Sequence, residues 1–134
     1  MTDCELLQCA VEARKMSYSP YSNFRVGAAL VGKSGKIYTG CNVENAGYSP
    51  TNCAERTALF KAVSEGEREF VAIAIVGGKG EEIADFCAPC GVCRQTLAEF
   101  CDGDFRVVLG TPEKPQVFAF KELLPFGFGK NDLE

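Results

Sequence analysis

The run Phe70-Val71-Ala72-Ile73-Ala74-Ile75-Val76 constrains this chain more than any other feature. It is apolar almost without a break and rich in β-branched residues. That is the pattern of a strand buried on both faces, not of one alternating between core and water. Such a strand belongs at the centre of a sheet whose faces are covered by other elements.

The flanking segments supply those elements. Residues 4–15 place Leu6, Leu7, Ala10 and Val11 at helical spacing with charged residues between them, an amphipathic helix. Residues 25–31 and 36–42 are β-prone and are joined by Gly32-Lys33-Ser34-Gly35, a hairpin signal. A loop rich in Asn, Gly, Ser and Pro leads to a helix beginning near Cys53 and ending before Gly66. After the apolar strand, residues 77–82 read as a glycine-rich loop and residues 90–100 as a second cysteine-led helix. Two strands, 105–109 and 116–120, are expected around a turn containing Pro112 and Pro115, followed by a short helix at 121–124. The order α-β-β-α-β-α-β-β predicts an α/β fold: a three-layer α/β/α sandwich around a mixed five-stranded sheet.

The chain has 134 residues with no linker or repeat, so a single domain, 1–134, is expected. No apolar stretch approaches the ~20 residues of a membrane span, and no secretory signal precedes the first helix. A cytoplasmic protein without membrane contact is expected. A net charge of -4 and the absence of a Lys/Arg cluster argue against nucleic acid as a partner. A neutral small molecule fits better.

Eight cysteines and no histidine narrow the chemistry. Without histidine there is no His-based triad, no His-containing zinc site and no imidazole general base. Four disulfides would suit a small secreted domain, but this chain is long enough to dispense with staples, and reduced thiols are expected. Cys90 and Cys93 form a Cys-x-x-Cys pair directly after Pro89, which places both sulfurs on one face of a helix's first turn. The dipole at that end favours the thiolates a metal requires. Cys53 begins the other helix with the same advantage. Glu55 lies two residues further on, poorly placed to ligate beside Cys53 but well placed to reach a metal-bound water. Three ligands leave an open position, the layout of a catalytic zinc.

Two other readings of these residues stay open. Cys87, Cys90 and Cys93 form Cys-x-x-Cys-x-x-Cys, the opening of an iron–sulfur motif, although no cysteine follows three residues on. A structural zinc held by four cysteines would recruit Cys87 and would bind metal without catalysis. Cys4, Cys9, Cys41 and Cys101 read as small core residues.

Asn42-Val43-Glu44-Asn45, Cys53-Ala54-Glu55-Arg56-Thr57-Ala58 and Pro89-Cys90-Gly91-Val92-Cys93-Arg94-Gln95, with Tyr18-Ser19-Pro20-Tyr21-Ser22 ahead of them, together resemble the zinc-dependent cytidine deaminases, in particular their short, homotetrameric branch. The resemblance implies hydrolytic deamination of cytidine and deoxycytidine in pyrimidine salvage, through zinc-activated water attacking C4. It implies one Zn²⁺ per subunit on Cys53, Cys90 and Cys93, with Glu55 as proton shuttle. Arg56 would offset the excess negative charge of three thiolates, helped by the two helix starts. Asn42 and Glu44 would hold the ribose hydroxyls, Phe24 would pack against the pyrimidine, and the Ala54 backbone would read the base edge. Ala46, Tyr48 and Phe128 match positions that reach a neighbouring subunit's site. The apolar tail with Leu123, Leu124, Phe126 and Phe128 agrees with a subunit interface. Blasticidin deaminases share the Cys-Ala-Glu and Pro-Cys pattern, so a nucleoside deaminase of that kind is the alternative within the same chemistry.

Overall fold

The computed structural model describes every residue from Met1 to Glu134. Its elements are α1 (Asp3–Arg14), β1 (Phe24–Gly32), β2 (Ile37–Cys41), α2 (Ala54–Ser64), β3 (Phe70–Lys79), α3 (Gly91–Ala98), β4 (Arg106–Thr111), β5 (Lys114–Ala119) and α4 (Phe120–Leu123), closed by a 3₁₀ turn at Lys130–Leu133. No helix is long and apolar enough to cross a membrane.

The strands form one sheet in the order β2-β1-β3-β4-β5. β1 pairs antiparallel with β2 and β3, β3 pairs parallel with β4, and β4 pairs antiparallel with β5. The mixed sheet expected from the sequence is therefore present, with the 70–76 run inside its central strand. That run is apolar on both sides because both sides are covered. Ile73 and Ile75 join Leu30, Val107 and Leu109 under α2 and α3, against Ala58, Leu59, Ala62 and Leu97. Ala72, Ala74 and Val76 join Ala29 and Val108 under α1, against Leu6, Leu7 and Ala10. The α1 face carries alanines, so that helix lies close to the sheet. At ~25 cal/mol per Å² of apolar surface, these two seams supply the main driving force for folding.

The topology also decides where the helices start. β2 and β3 run in the same direction, since both are antiparallel to β1. β2–α2–β3 and β3–α3–β4 are thus successive crossovers with their helices in one layer. Both helices begin at the carboxyl ends of the strands they leave, the end at which open α/β sheets bind ligands. α1 begins differently, with a capping box in which Glu5 N donates to Thr2 Oγ1 (3.1 Å) and Thr2 N donates to Glu5 Oε1 (3.0 Å).

Three expectations need correction. The glycine-rich stretch at 77–79 is not loop but the end of β3, paired with Phe24–Val26 of β1. Glycine is required there by close approach: a Cβ on Gly78 would lie 2.2 Å from Glu82 O, and one on Gly77 2.6 Å from Cys87 Sγ. Pro115 does not belong to the turn before the last strand; it lies within β5, which tolerates it because β5 is an edge strand. Of the four cysteines read as core, Cys4 is exposed and Cys9, Cys41 and Cys101 are only partly buried.

Candidate metal and substrate site

Cys53 and Cys90 occupy the N-cap positions of α2 and α3. The shared end of the two crossovers brings them together across a sequence gap that no local spacing links. Cys53 Sγ and Cys90 Sγ are 3.7 Å apart, and with Cys93 Sγ all three sulfurs lie within 4.8 Å of one another. Two thiolates on one tetrahedral zinc at ~2.3 Å sit ~3.8 Å apart, so this donor set fits the ion in both chemistry and span. Cys90 Sγ also accepts from Cys93 N (3.4 Å), whereas the Cys53 side chain caps nothing. At α2, the position that usually carries a capping oxygen carries instead a sulfur of a cluster that could hold a metal ion.

Cys87 stands outside the thiol cluster. Burial pushes its thiol up to about 11, with the nearby Glu55 and Cys53 adding to the shift. A two-plus-one arrangement, Cys90 and Cys93 with Cys53, replaces the linear run of the iron–sulfur reading, and the four-cysteine structural site loses its fourth ligand.

The charge distribution favours thiolate at Cys53. Cys53 is held down at about 5, first because the Cys93 thiol donates to it, then through the hydrogen bond and charge of Arg56, with burial opposing. Cys93 is pushed up in return, holding the proton of the pair. Arg56 Nη2 donates to Cys53 Sγ (3.2 Å). Burial weakens the guanidinium charge, but the hydrogen bonds to Cys53 and Cys93 more than compensate and hold Arg56 above its ordinary value. Its Nε is buried without a partner, so the side chain is committed to the sulfurs at the cost of one unsatisfied donor.

Glu55, in the first turn of α2, is only 4% exposed. Burial pushes its carboxyl up to about 7; its own backbone amide pulls the other way and the Cys53 sulfur adds to the rise. A carboxyl near 7 can both take and give a proton at neutral pH.

A cavity of about 270 Å³ opens onto the cluster, with Cys53, Ala54, Glu55 and Cys90 at its floor. Phe24, Val26, Asn42, Glu44, Cys87 and Ala88 form its walls. The sequence-predicted Phe24, Asn42, Glu44 and Ala54 therefore converge with the metal cluster. β2 stops at Cys41, but Val43 bridges to Tyr18 and Asn52, which keeps Asn42 and Glu44 on the same side beyond the strand. Asn42 is largely used by the protein: Oδ1 accepts from Val26 N (2.9 Å) and Ser17 Oγ, and Nδ2 donates to Phe24 O (2.8 Å). One amide hydrogen is left for a ligand, so Asn42 can meet a substrate only as a donor. Glu44 accepts from Tyr21 N (3.0 Å), Ser22 N (3.1 Å) and Ser22 Oγ. The Ser22 bonds are the main reason its carboxyl is held below the usual range.

Tyr48 borders a shallower hollow that shares Ser22, Glu44 and Thr51 with the main cavity, its ring edge-on to Tyr21 at 6.2 Å. Ala46 is exposed in the same loop. Phe128 lies outside the cavity, its side chain exposed and its carbonyl accepting from Gln95 Nε2 (2.8 Å). In the tail, Leu123 and Leu124 pack on the chain's own core, while Phe126 and Phe128 face outward.

Two participants carried no individual role in the sequence reading. Ser22 orients Glu44, and its place in the Tyr18–Ser22 segment was the available sign. Arg94 donates from Nε to Pro89 O (2.8 Å) and from Nη1 to Leu123 O (2.7 Å), which fixes the turn before Cys90. Its place beside Cys93 hinted at a role, but the carbonyl partners are visible only in three dimensions.

Three thiols that could hold a metal ion at two helix starts, a buried carboxyl beside them and a cavity next to both define an α/β protein with a candidate metal centre. Comparison with known proteins agrees. Residues 1–111 match the family described as cytidine and deoxycytidylate deaminase zinc-binding region. The chain is 49% identical over 129 residues to a cytidine deaminase of Halalkalibacterium halodurans, covering 96% of this chain and 95% of that one. It is also 49% identical to a cytidine deaminase of Sporosarcina psychrophila, covering 96% and 93%. The crystal structure of cytidine deaminase from Burkholderia pseudomallei superposes with a TM-score of 0.87 at 48% identity, over 96% of this chain and 100% of that one. The chain belongs to the zinc-dependent cytidine and deoxycytidylate deaminase family.

Proposed function

We propose that this chain, acting as one catalytic domain in the cytoplasm, hydrolyses cytidine and deoxycytidine to uridine and deoxyuridine with release of ammonia. The observation that carries this reading is the 270 Å³ cavity that puts the buried Glu55 beside the three-sulfur cluster. Its lining contains no Lys or Arg, which suits an uncharged nucleoside and offers nothing to a phosphate.

Cys53, Cys90 and Cys93 hold the zinc. Bound there, zinc would supply a water whose pKa is lowered from 15.7 towards ~7 and would stabilise negative charge on the attacking oxygen. Glu55 takes a proton from the attacking water and delivers it to N3 of the pyrimidine. It then takes the second proton from the hydroxyl formed on C4 and passes it to the amine as the C4–N bond breaks and the C4 carbonyl forms, so that water and cytidine become uridine and ammonia. Phe24 packs on the base, the Ala54 backbone at the start of α2 reads its edge, and Asn42 and Glu44 hold the ribose. Three thiolates leave the centre with one excess negative charge, and Arg56, with the two helix starts, withdraws part of it. Ala46, Tyr48 and Phe128 complete the sites of neighbouring subunits in a homotetramer.

The test is ammonia release by the zinc-loaded protein from cytidine, deoxycytidine, cytidine monophosphate and blasticidin S. Turnover of the two nucleosides, little of the monophosphate, and a solution mass four times that of the chain are expected. Preference for blasticidin S would move the assignment within the deaminases; zinc binding without any deamination would overturn it. Replacing Arg56 with Gln should lower kcat about 10- to 100-fold, the usual scale for an outer partner of a metal ligand, with a smaller effect on KM. Unchanged kinetics would remove Arg56 from the charge balance.

A further inference from the structure

We infer that Arg14 is a positioning residue for the site: from the last turn of α1 it holds the connection between β3 and α3, which forms one wall of the cavity and carries Cys90.

Arg14 is only 6% exposed and makes no salt bridge, although Glu81 lies near enough for its charge to favour the cation. Burial, and then the charge of Arg25, hold its guanidinium below the ordinary value. A buried cation without a direct ion pair is costly, so its contacts must compensate through hydrogen bonds. All of them go to main-chain carbonyls. Nε donates to Arg25 O (2.9 Å) in β1, and Nη2 donates to Gly78 O (3.0 Å), Gly80 O (2.8 Å) and Glu82 O. Three carbonyls from alternate residues converge on one nitrogen, so the chain leaving β3 curls around Arg14. Nη2 has two hydrogens, so the three carbonyls share them, while Nε holds β1 at the same time; a lysine ammonium has no second nitrogen with which to reach Arg25 O.

The curl is linked to the site by contact. Ala84 N donates to Gly77 O (2.8 Å), folding the connection back onto β3. Cys87 Sγ then packs against Gly77, with the Phe24 ring beside it, where a Cβ on Gly77 would lie 3.1 Å from the ring. Ala88 and Cys90 follow directly in the cavity lining. The connection is therefore gripped at both ends, by Arg14 near β3 and by Arg94 at Pro89. Residues 81–90 have no helix or strand of their own, so these grips decide how firmly Cys90 and the Cys87–Ala88 wall are held.

The experiment compares the zinc-loaded full chain with Arg14→Lys, Arg14→Met and, as a stability control on the same helix, Leu7→Ala. Zinc release to a chromogenic chelator should accelerate about 10-fold or more in both Arg14 variants. KM for cytidine should rise by a similar factor, with kcat per bound zinc little changed. The amide of Ala84 should exchange its hydrogen faster. Leu7→Ala should lower the melting temperature without moving zinc release or KM. If Arg14→Met does not fold, Arg14→Lys decides. Wild-type zinc release in the Arg14 variants would overturn the inference, as would equal acceleration in Leu7→Ala at matched stability. The KM arm rests on the proposed deaminase reading, whereas zinc release does not, so failure of either is recognisable on its own.

Discussion

Glu55→Gln is expected to bind a full complement of zinc, fold normally and lose nearly all turnover. The amide has the shape of the carboxyl and fits the same buried place at the start of α2, so packing against the cluster is kept. It cannot take a proton from water and pass it on. General acid–base groups contribute about 10²- to 10⁴-fold, and Glu55 is asked to act at both N3 and the leaving amine, so kcat should fall by about 10³-fold or more. Binding should suffer far less. Zinc content, melting temperature and single-turnover kinetics on one preparation would separate these effects. Wild-type kcat in Glu55→Gln would end the assignment, since no other carboxylate than Glu44 lines the cavity and that one is engaged by Tyr21 and Ser22.

Cys53→Ser should abolish zinc binding and activity while leaving the metal-free protein at least as stable as the metal-free parent. Cys53 is an N-cap that makes no cap hydrogen bond. Serine is among the best residues at that position, where a good cap is worth ~1 kcal/mol. Its hydroxyl is a poor zinc ligand beside two thiolates, and two ligands do not make a closed catalytic set. Zinc per chain should fall from one towards zero, and deamination by at least ~10³-fold, because little hydroxide is available at neutral pH without the metal. Thermal melts of the metal-free proteins supply the second readout. A zinc-loaded, active Cys53→Ser would place the ligand set elsewhere. A sharp fall in metal-free stability would mean that Cys53 contributes to the fold rather than to the metal.

Stability and function compete at several places in this small site. The cap of α2 is a sulfur that makes no cap hydrogen bond, Arg56 keeps an orphaned Nε to reach the sulfurs, and Arg14 is buried without a salt bridge. Each is unfavourable locally, and each touches the cluster or the chain that carries it.

The residues whose neighbours are close in sequence were legible without coordinates. The two-sided burial of 70–76, the hairpin glycines and the Cys90–Cys93 pair on one helical turn follow from periods of two and 3.6 residues, and so does Glu55 pointing away from direct ligation beside Cys53. Arg14 was half legible. It continues the Leu7–Ala10 stripe at helical spacing, a place where a charge ordinarily finds no partner, and the carbonyls that satisfy it come from β1 and from the end of β3. The end of β3 was misread because glycines usually mark a loop, whereas here they admit the backbone of the following connection.

By itself, the sequence determined the chemistry available to this protein: thiols able to bind a metal, carboxylates able to move protons, and no imidazole. It also determined the central strand and the helices on either side. Only the tertiary structure decided which thiols meet. Cys53 and Cys90 come within 3.7 Å because two successive crossovers start their helices at the same end of the sheet, and Cys87, nearer in sequence to Cys90, is turned to the wall instead. Strand direction and pairing are long-range properties, set by how both faces of the sheet are covered at once, and local spacing carries no record of them.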